Sequence, residues 1–74
     1  MVAPGELHAG DLVEIQWDPT TTRTAVFQRM TRTGSVVVRV ERVGRDGRGT
    51  GEYGAPRTFL SSDVLRILER GVSP

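Results

Sequence analysis

Ser35-Val36-Val37-Val38-Arg39-Val40-Glu41-Arg42-Val43 decides the class of this fold. Val36, Val38 and Val40 fall on one face and Val37, Arg39 and Glu41 on the other, the period-two alternation that a half-buried β-strand requires. Between Val40 and Val43 the spacing lengthens from two to three. That predicts a β-bulge near Glu41 or Arg42, the device by which small barrels bend their strands.

Upstream, Thr33-Gly34 marks a tight hairpin, because glycine supplies the positive φ such turns demand. The strand before it, Thr24 to Arg32, is mixed: Val26 and Met30 share one face and Phe27 takes the other, so strong coiling is needed to bury both sets. Further back, Gly10-Asp11 opens a first strand in which Val13, Ile15 and Trp17 share a face, Glu14 and Gln16 take the other, and Leu12 breaks the pattern. Asp18-Pro19 and the three threonines after it end that strand in a loop.

Downstream, Gly44 to Gly54 holds five glycines and one large side chain, Tyr53. Too little apolar surface is present to order it, so mobility is expected, with Asp46-Gly47 able to turn a ribbon that extends the flanking strands. Pro56 to Leu60 reads as a short fourth strand, and Pro56 places it at a sheet edge. In the last run, Val64, Leu65, Ile67 and Leu68 have helical spacing, with Asp63 as N-cap and Gly71 past the end. A 3₁₀ turn at Ser61-Ser62-Asp63 leading into a closing strand is the preferred alternative. The expectation is an all-β, five-stranded, strongly bent small barrel with a 3₁₀ turn before the last strand. Its predicted core is Val13, Ile15, Val36, Val38, Val40, Phe59, Leu65 and Ile67. Residues 10–70 form the domain, 1–9 a flexible N-terminal segment and 71–74 a tail.

The chain has 74 residues and no cysteine. A domain of this size buries only about 60 % of its unfolded surface, and small secreted domains normally add disulfides or metals, so a cytoplasmic setting or a partner that completes the fold is expected. Met1 to Gly10 carries neither a basic segment nor an apolar core. No stretch approaches the roughly 20 apolar residues that cross a bilayer, so no membrane insertion is expected.

Net charge is +1, with ten arginines, no lysine and nine acids. Arginine codon bias in a GC-rich genome accounts for this as a solvated surface; retention of guanidinium groups for bidentate recognition of carboxylate or phosphate is the sharper account. The pI of about 8.5 lies below the value of about 9 usual for dedicated nucleic-acid binders.

Gly10-Asp11-Leu12-Val13-Glu14-Ile15, a loop, a central hairpin and then Phe59-Leu60-Ser61-Ser62-Asp63-Val64 resembles the Src-homology-3-like small barrels, whose last two strands are joined by a 3₁₀ turn at such a Phe-x-Ser-x-x-Val sequence. The likeness spans residues 10–69 and implies fold, since that architecture hosts unrelated functions. Within it, Val36 to Val43, a loop and Thr58-Phe59 look like the ferredoxin-docking subunit of photosystem I. Asp18-Pro19-Thr20-Thr21-Thr22 stands where that family has an aromatic signature. The plasmid-borne barrel-type dihydrofolate reductases line their pore with a Val-Gln-Ile-Tyr strand; Pro56-Arg57-Thr58-Phe59 here lacks its amide and hydroxyl.

No enzyme is predicted and no cofactor or metal: His8 stands alone near the N-terminus, without a triad spacing or a ligand cluster. Asp11 with Glu14, or Asp46 with Glu52, read as turn formers and surface charges, and no helix follows the glycines to make a phosphate loop. Arg39, Arg42, Arg45, Arg48, Tyr53 and Arg57 are the candidate binding residues, gathered by a hairpin on one side of the barrel, with residue types enriched in interface hot spots. Pairing of those arginines with Glu41, Asp46 and Glu52 is the structural alternative. Trp17 belongs with the core unless the first loop leaves its edge exposed as a platform. The expected function is an accessory module that docks on a larger protein assembly or a second copy of itself; a nucleic-acid or ribosome binder using the same arginines is the alternative.

Overall fold

The valine stretch forms strand β3 (Val36–Val43), with Val36 and Val38 fully buried and Val40 nearly so. A computed structural model describes residues 2–71; Met1 and residues 72–74, including the predicted frayed C-terminal tail, lie outside the described residues. The other strands are β1 (Leu12–Asp18), β2 (Thr21–Met30), β4 (Gly49–Phe59) and β5 (Val64–Glu69), with a 3₁₀ turn at Ser61–Asp63. All pair antiparallel in one sheet, in the order β4-β3-β2-β1-β5. Val64–Glu69 is therefore a strand and not a helix, and Pro56 does lie on an edge strand. The expected closure into a barrel is absent as a ladder, because β4 and β5 are the two open edges.

The sheet is nevertheless strongly curved. β4 ends at Phe59 and β5 begins at Val64, so these two residues, five steps apart in the chain, lie no further than about 18 Å from one another. Trp17 of β1 and Phe59 of β4, separated in the sheet by two strands, stand with ring centroids 6.1 Å apart. The concave face holds Val13, Ile15, Ala25, Phe27, Val36, Val38, Val40 and Val64, and Val2 covers it from the N-terminal side. Leu7 packs there too, so the N-terminal segment set apart in the sequence is laid onto the core, with the Val2 amide donating to the Val64 carbonyl at 3.4 Å.

Slips in the ladder explain where alternation failed. Between Phe27 and Arg29 the β2–β3 register shifts by one residue, leaving Gln28 unpaired. Phe27 opposite Val38 and Met30 opposite Val36 therefore both face the core, although odd spacing would separate them. In β5 one shift falls at Leu68 and a second at Leu65, which puts Val64 opposite Ile15 and Ile67 opposite Val13. The predicted core residue Leu65 is thus replaced by the fully buried Val64, while Phe59 and Ile67 are half-buried against the core.

The glycine-rich segment turns at Gly44–Arg48, where the Gly44 amide donates to the Arg48 carbonyl at 2.8 Å, and runs on as β4. The fourth strand thus begins seven residues earlier than expected, and the ribbon is the form the segment takes. The β3–β4 ladder is irregular where a bulge was foreseen near Glu41 or Arg42, but the extra residues belong to β4 and not to β3: Arg39 pairs with Pro56, Glu41 with Tyr53 and Val43 with Gly49.

Candidate functional site

Carboxylates in this chain are largely turned to backbone amides. Asp18 accepts from the Thr20 and Thr21 amides, Glu41 from Gly51, Asp46 from Arg48 and Asp63 from Leu60. Bonds from Thr21 and Thr20 hold the Asp18 carboxyl below the ordinary range. The ion pairs expected between Glu41, Asp46 or Glu52 and the hairpin arginines do not form. Among the described residues, carboxylate partners reach only Arg66, from Glu14 at 3.2 Å, and Arg70, from Asp11 at 3.0 Å.

Asp11 differs from the surface turn former read in the sequence, because it is fully buried. It accepts from the His8 amide at 2.9 Å, the Gly71 amide at 2.7 Å and the Arg70 guanidinium, which also donates to the Glu6 carbonyl. Burial pushes its carboxyl up, and the bonds from Gly71, His8 and Arg70 outweigh that and hold it below its ordinary value. Gly71 is required: a Cβ there would lie 2.6 Å from the Gly10 carbonyl carbon.

The predicted binding residues divide into four groups. Arg39 is occupied structurally, its guanidinium donating to the Gly54 carbonyl at 2.8 Å and the Tyr53 carbonyl at 3.2 Å, which holds the β4 bulge. Tyr53 pairs with Glu41, and burial followed by the Glu41 carboxylate pushes its hydroxyl up. Arg45 and Arg48 stand exposed at the hairpin tip. Arg42 and Arg57 border a cleft of about 390 Å³ beside Trp17, whose other walls include Val40 and Pro56.

Trp17 lies at a further slip of the ladder, for Gln16 pairs with Thr22 and Asp18 with Thr21, leaving Trp17 as the extra residue. Bulges of this kind re-aim a side chain. Half-buried, the indole packs on the core with one part and carries two guanidiniums on the other, with Arg23 Cζ 4.4 Å and Arg57 Cζ 5.2 Å from the ring centroid. Each such contact contributes about 0.5 to 1 kcal/mol at an exposed site. Arg23 is the site residue the sequence did not single out. Its signal is its spacing: Arg23, Ala25 and Phe27 share a face once Phe27 is placed inward.

No family model, no curated protein and no solved structure matches this chain. Among the described residues no helix is long and apolar enough to cross a membrane.

Proposed function

We propose that this chain is a non-enzymatic interaction module, an accessory subunit that docks on a larger protein assembly through the arginine-bearing β3–β4 ribbon and the neighbouring sheet edges. One observation carries this: Arg42, Arg45, Arg48 and Arg57 lie along one ribbon with no carboxylate in ion-pair range among the described residues. Acids that would neutralise the ribbon are bonded to its own amides instead, as with Glu41 on Gly51 and Asp46 on Arg48. Unpaired guanidiniums on an exposed ribbon suit recognition of an acidic partner surface. A net charge of +1 and four aromatic residues give poor support to phosphate tracking and base stacking.

The test combines light scattering on the purified chain, with and without nuclease, and affinity capture of nuclease-treated extract by the wild type and by an Arg42→Ala/Arg45→Ala/Arg48→Ala variant. A stoichiometric protein partner, or a second copy, that the variant loses is the expected result. Sub-micromolar, salt-sensitive binding of nucleic acid by the purified chain would overturn it.

A further inference from the structure

Three adjacent strands each contribute an arginine to the lining of the cleft beside Trp17, Arg23 from β2, Arg42 from β3 and Arg57 from β4, and the guanidiniums of Arg23 and Arg57 lie over the indole. Its remaining walls are partly apolar, with Ala55 and Pro56 exposed and the nearly buried Val40 behind them. Glu41 borders the same space, but its carboxylate accepts from the Gly51 amide and lies against Gly49, where a Cβ would collide with it. The cleft thus carries the guanidiniums of Arg23 and Arg57 on the indole, with Arg42 in its lining and apolar surface beside them.

Arg23 and Arg57 stand where a stacked base would stand on Trp17. A nucleobase therefore has to displace them, whereas a carboxylate can be taken by the guanidinium forks as they are. Stacking on the indole restricts both side chains before any partner arrives, so less rotamer freedom is lost on binding.

We propose that this cleft takes an extended acidic segment of a protein partner, with carboxylates engaging Arg23 and Arg57 and an apolar side chain on Ala55 and Pro56. The partner class rests on the docking function argued above; the location rests on the Trp17 geometry.

Trp17 is the single tryptophan, so its emission reports the cleft directly. The probe is an acetylated and amidated hexapeptide of alternating Glu and Leu, compared with the same peptide carrying Gln for Glu and with a twelve-nucleotide oligothymidylate. The acidic peptide is expected to change Trp17 emission saturably, with affinity falling as salt rises, and the Gln peptide to bind far more weakly. Arg23→Ala and Arg57→Ala should each weaken binding by about fivefold or more. Arg57→Lys should weaken it too, since an ammonium lacks the planar fork. Arg45→Ala/Arg48→Ala should weaken it less than Arg23→Ala or Arg57→Ala does, because neither residue lines the cleft.

Failure of the acidic peptide to saturate, equal binding of the Gln peptide, or indifference to Arg23→Ala and Arg57→Ala overturns the proposal. If any of these occurs while a protein partner is still captured and lost on changing the hairpin arginines, the cleft assignment falls and docking stands. Tighter binding of the oligonucleotide than of the acidic peptide overturns both.

Discussion

Where residues 11 and 70 meet, Arg70 lies 3.0 Å from the buried carboxylate of Asp11; beside the cleft, Arg23 and Arg57 lie over an indole with no carboxylate in ion-pair range among the described residues. Burial separates the two cases. A fully desolvated carboxylate is tolerable only when hydrogen bonds and a counter-charge are supplied, so Asp11 is surrounded by the Gly71 and His8 amides and by Arg70. An exposed guanidinium loses little by lacking an acid, since surface ion pairs contribute only about 0 to 1 kcal/mol. The first arginine is committed to the fold, whereas the others keep their hydrogen-bonding capacity for something else.

The comparison breaks first if Asp11 is dispensable. Asp11→Ala leaves the His8 and Gly71 amides without their acceptor and Arg70 without its partner, and should cost about 2 to 4 kcal/mol. In a domain of this size that lowers Tm by on the order of 10 °C or more. Thermal unfolding within a degree or two of the wild type would show that the clasp does not hold these two segments together.

Acid should act on the same contact. Because the Asp11 carboxyl is held below its ordinary 3.8 in the folded chain, the unfolded chain takes up the proton first, and the stability it contributes is present above that value and lost as pH falls below it. Asp18 shifts in the same direction, so the discriminating measurement is a difference. Asp11→Asn should flatten the acid limb of stability against pH relative to Asp18→Asn. Identical limbs in the wild type and Asp11→Asn would sink the assignment.

How much of this was legible in sequence follows from where the ladder slips. β3, its hairpin at Thr33-Gly34 and the 3₁₀ turn at Ser61–Asp63 were legible, because each rests on local alternation or turn chemistry. Phe27, Leu65 and Trp17 were not placed well, since each lies at or beside a register shift that reverses or re-aims the side-chain face. One unpaired residue is a tertiary feature of two strands, invisible in either alone. Arg23 was missed for the same reason, its face depending on Phe27. Asp11 was missed because its partners, Arg70 and Gly71, lie at the other end of the chain. On the ribbon, the individual arginines were found but not their division between Arg39, spent on carbonyls, and Arg42 and Arg57, which border the cleft.

A smaller effect sharpens the comparison at the cleft wall. Gly49→Ala would place a methyl group where the Glu41 carboxylate lies, and Glu41 would have to swing away from the Gly51 amide. Losing that bond should cost about 1 kcal/mol. It would also free a carboxylate beside Arg42 and Arg57, so acidic-peptide binding should weaken by more than the stability change implies. An unaltered affinity would mean that Glu41 is not what keeps the cleft positive.

The smallest expected effect on stability is the most informative. Arg23→Ala and Arg57→Ala each remove a guanidinium from the Trp17 ring and nothing from any ion pair among the described residues. Each should cost less than about 1 kcal/mol, well short of Asp11→Ala. Trp17 emission should nonetheless shift in both, because the indole is half-buried and loses a charge stacked on it. A residue kept for the fold would show the opposite balance, a large change in Tm with binding changed only in proportion. If either variant unfolds as early as Asp11→Ala, the cleft arginines are structural clamps on Trp17, and the contrast between the two regions disappears.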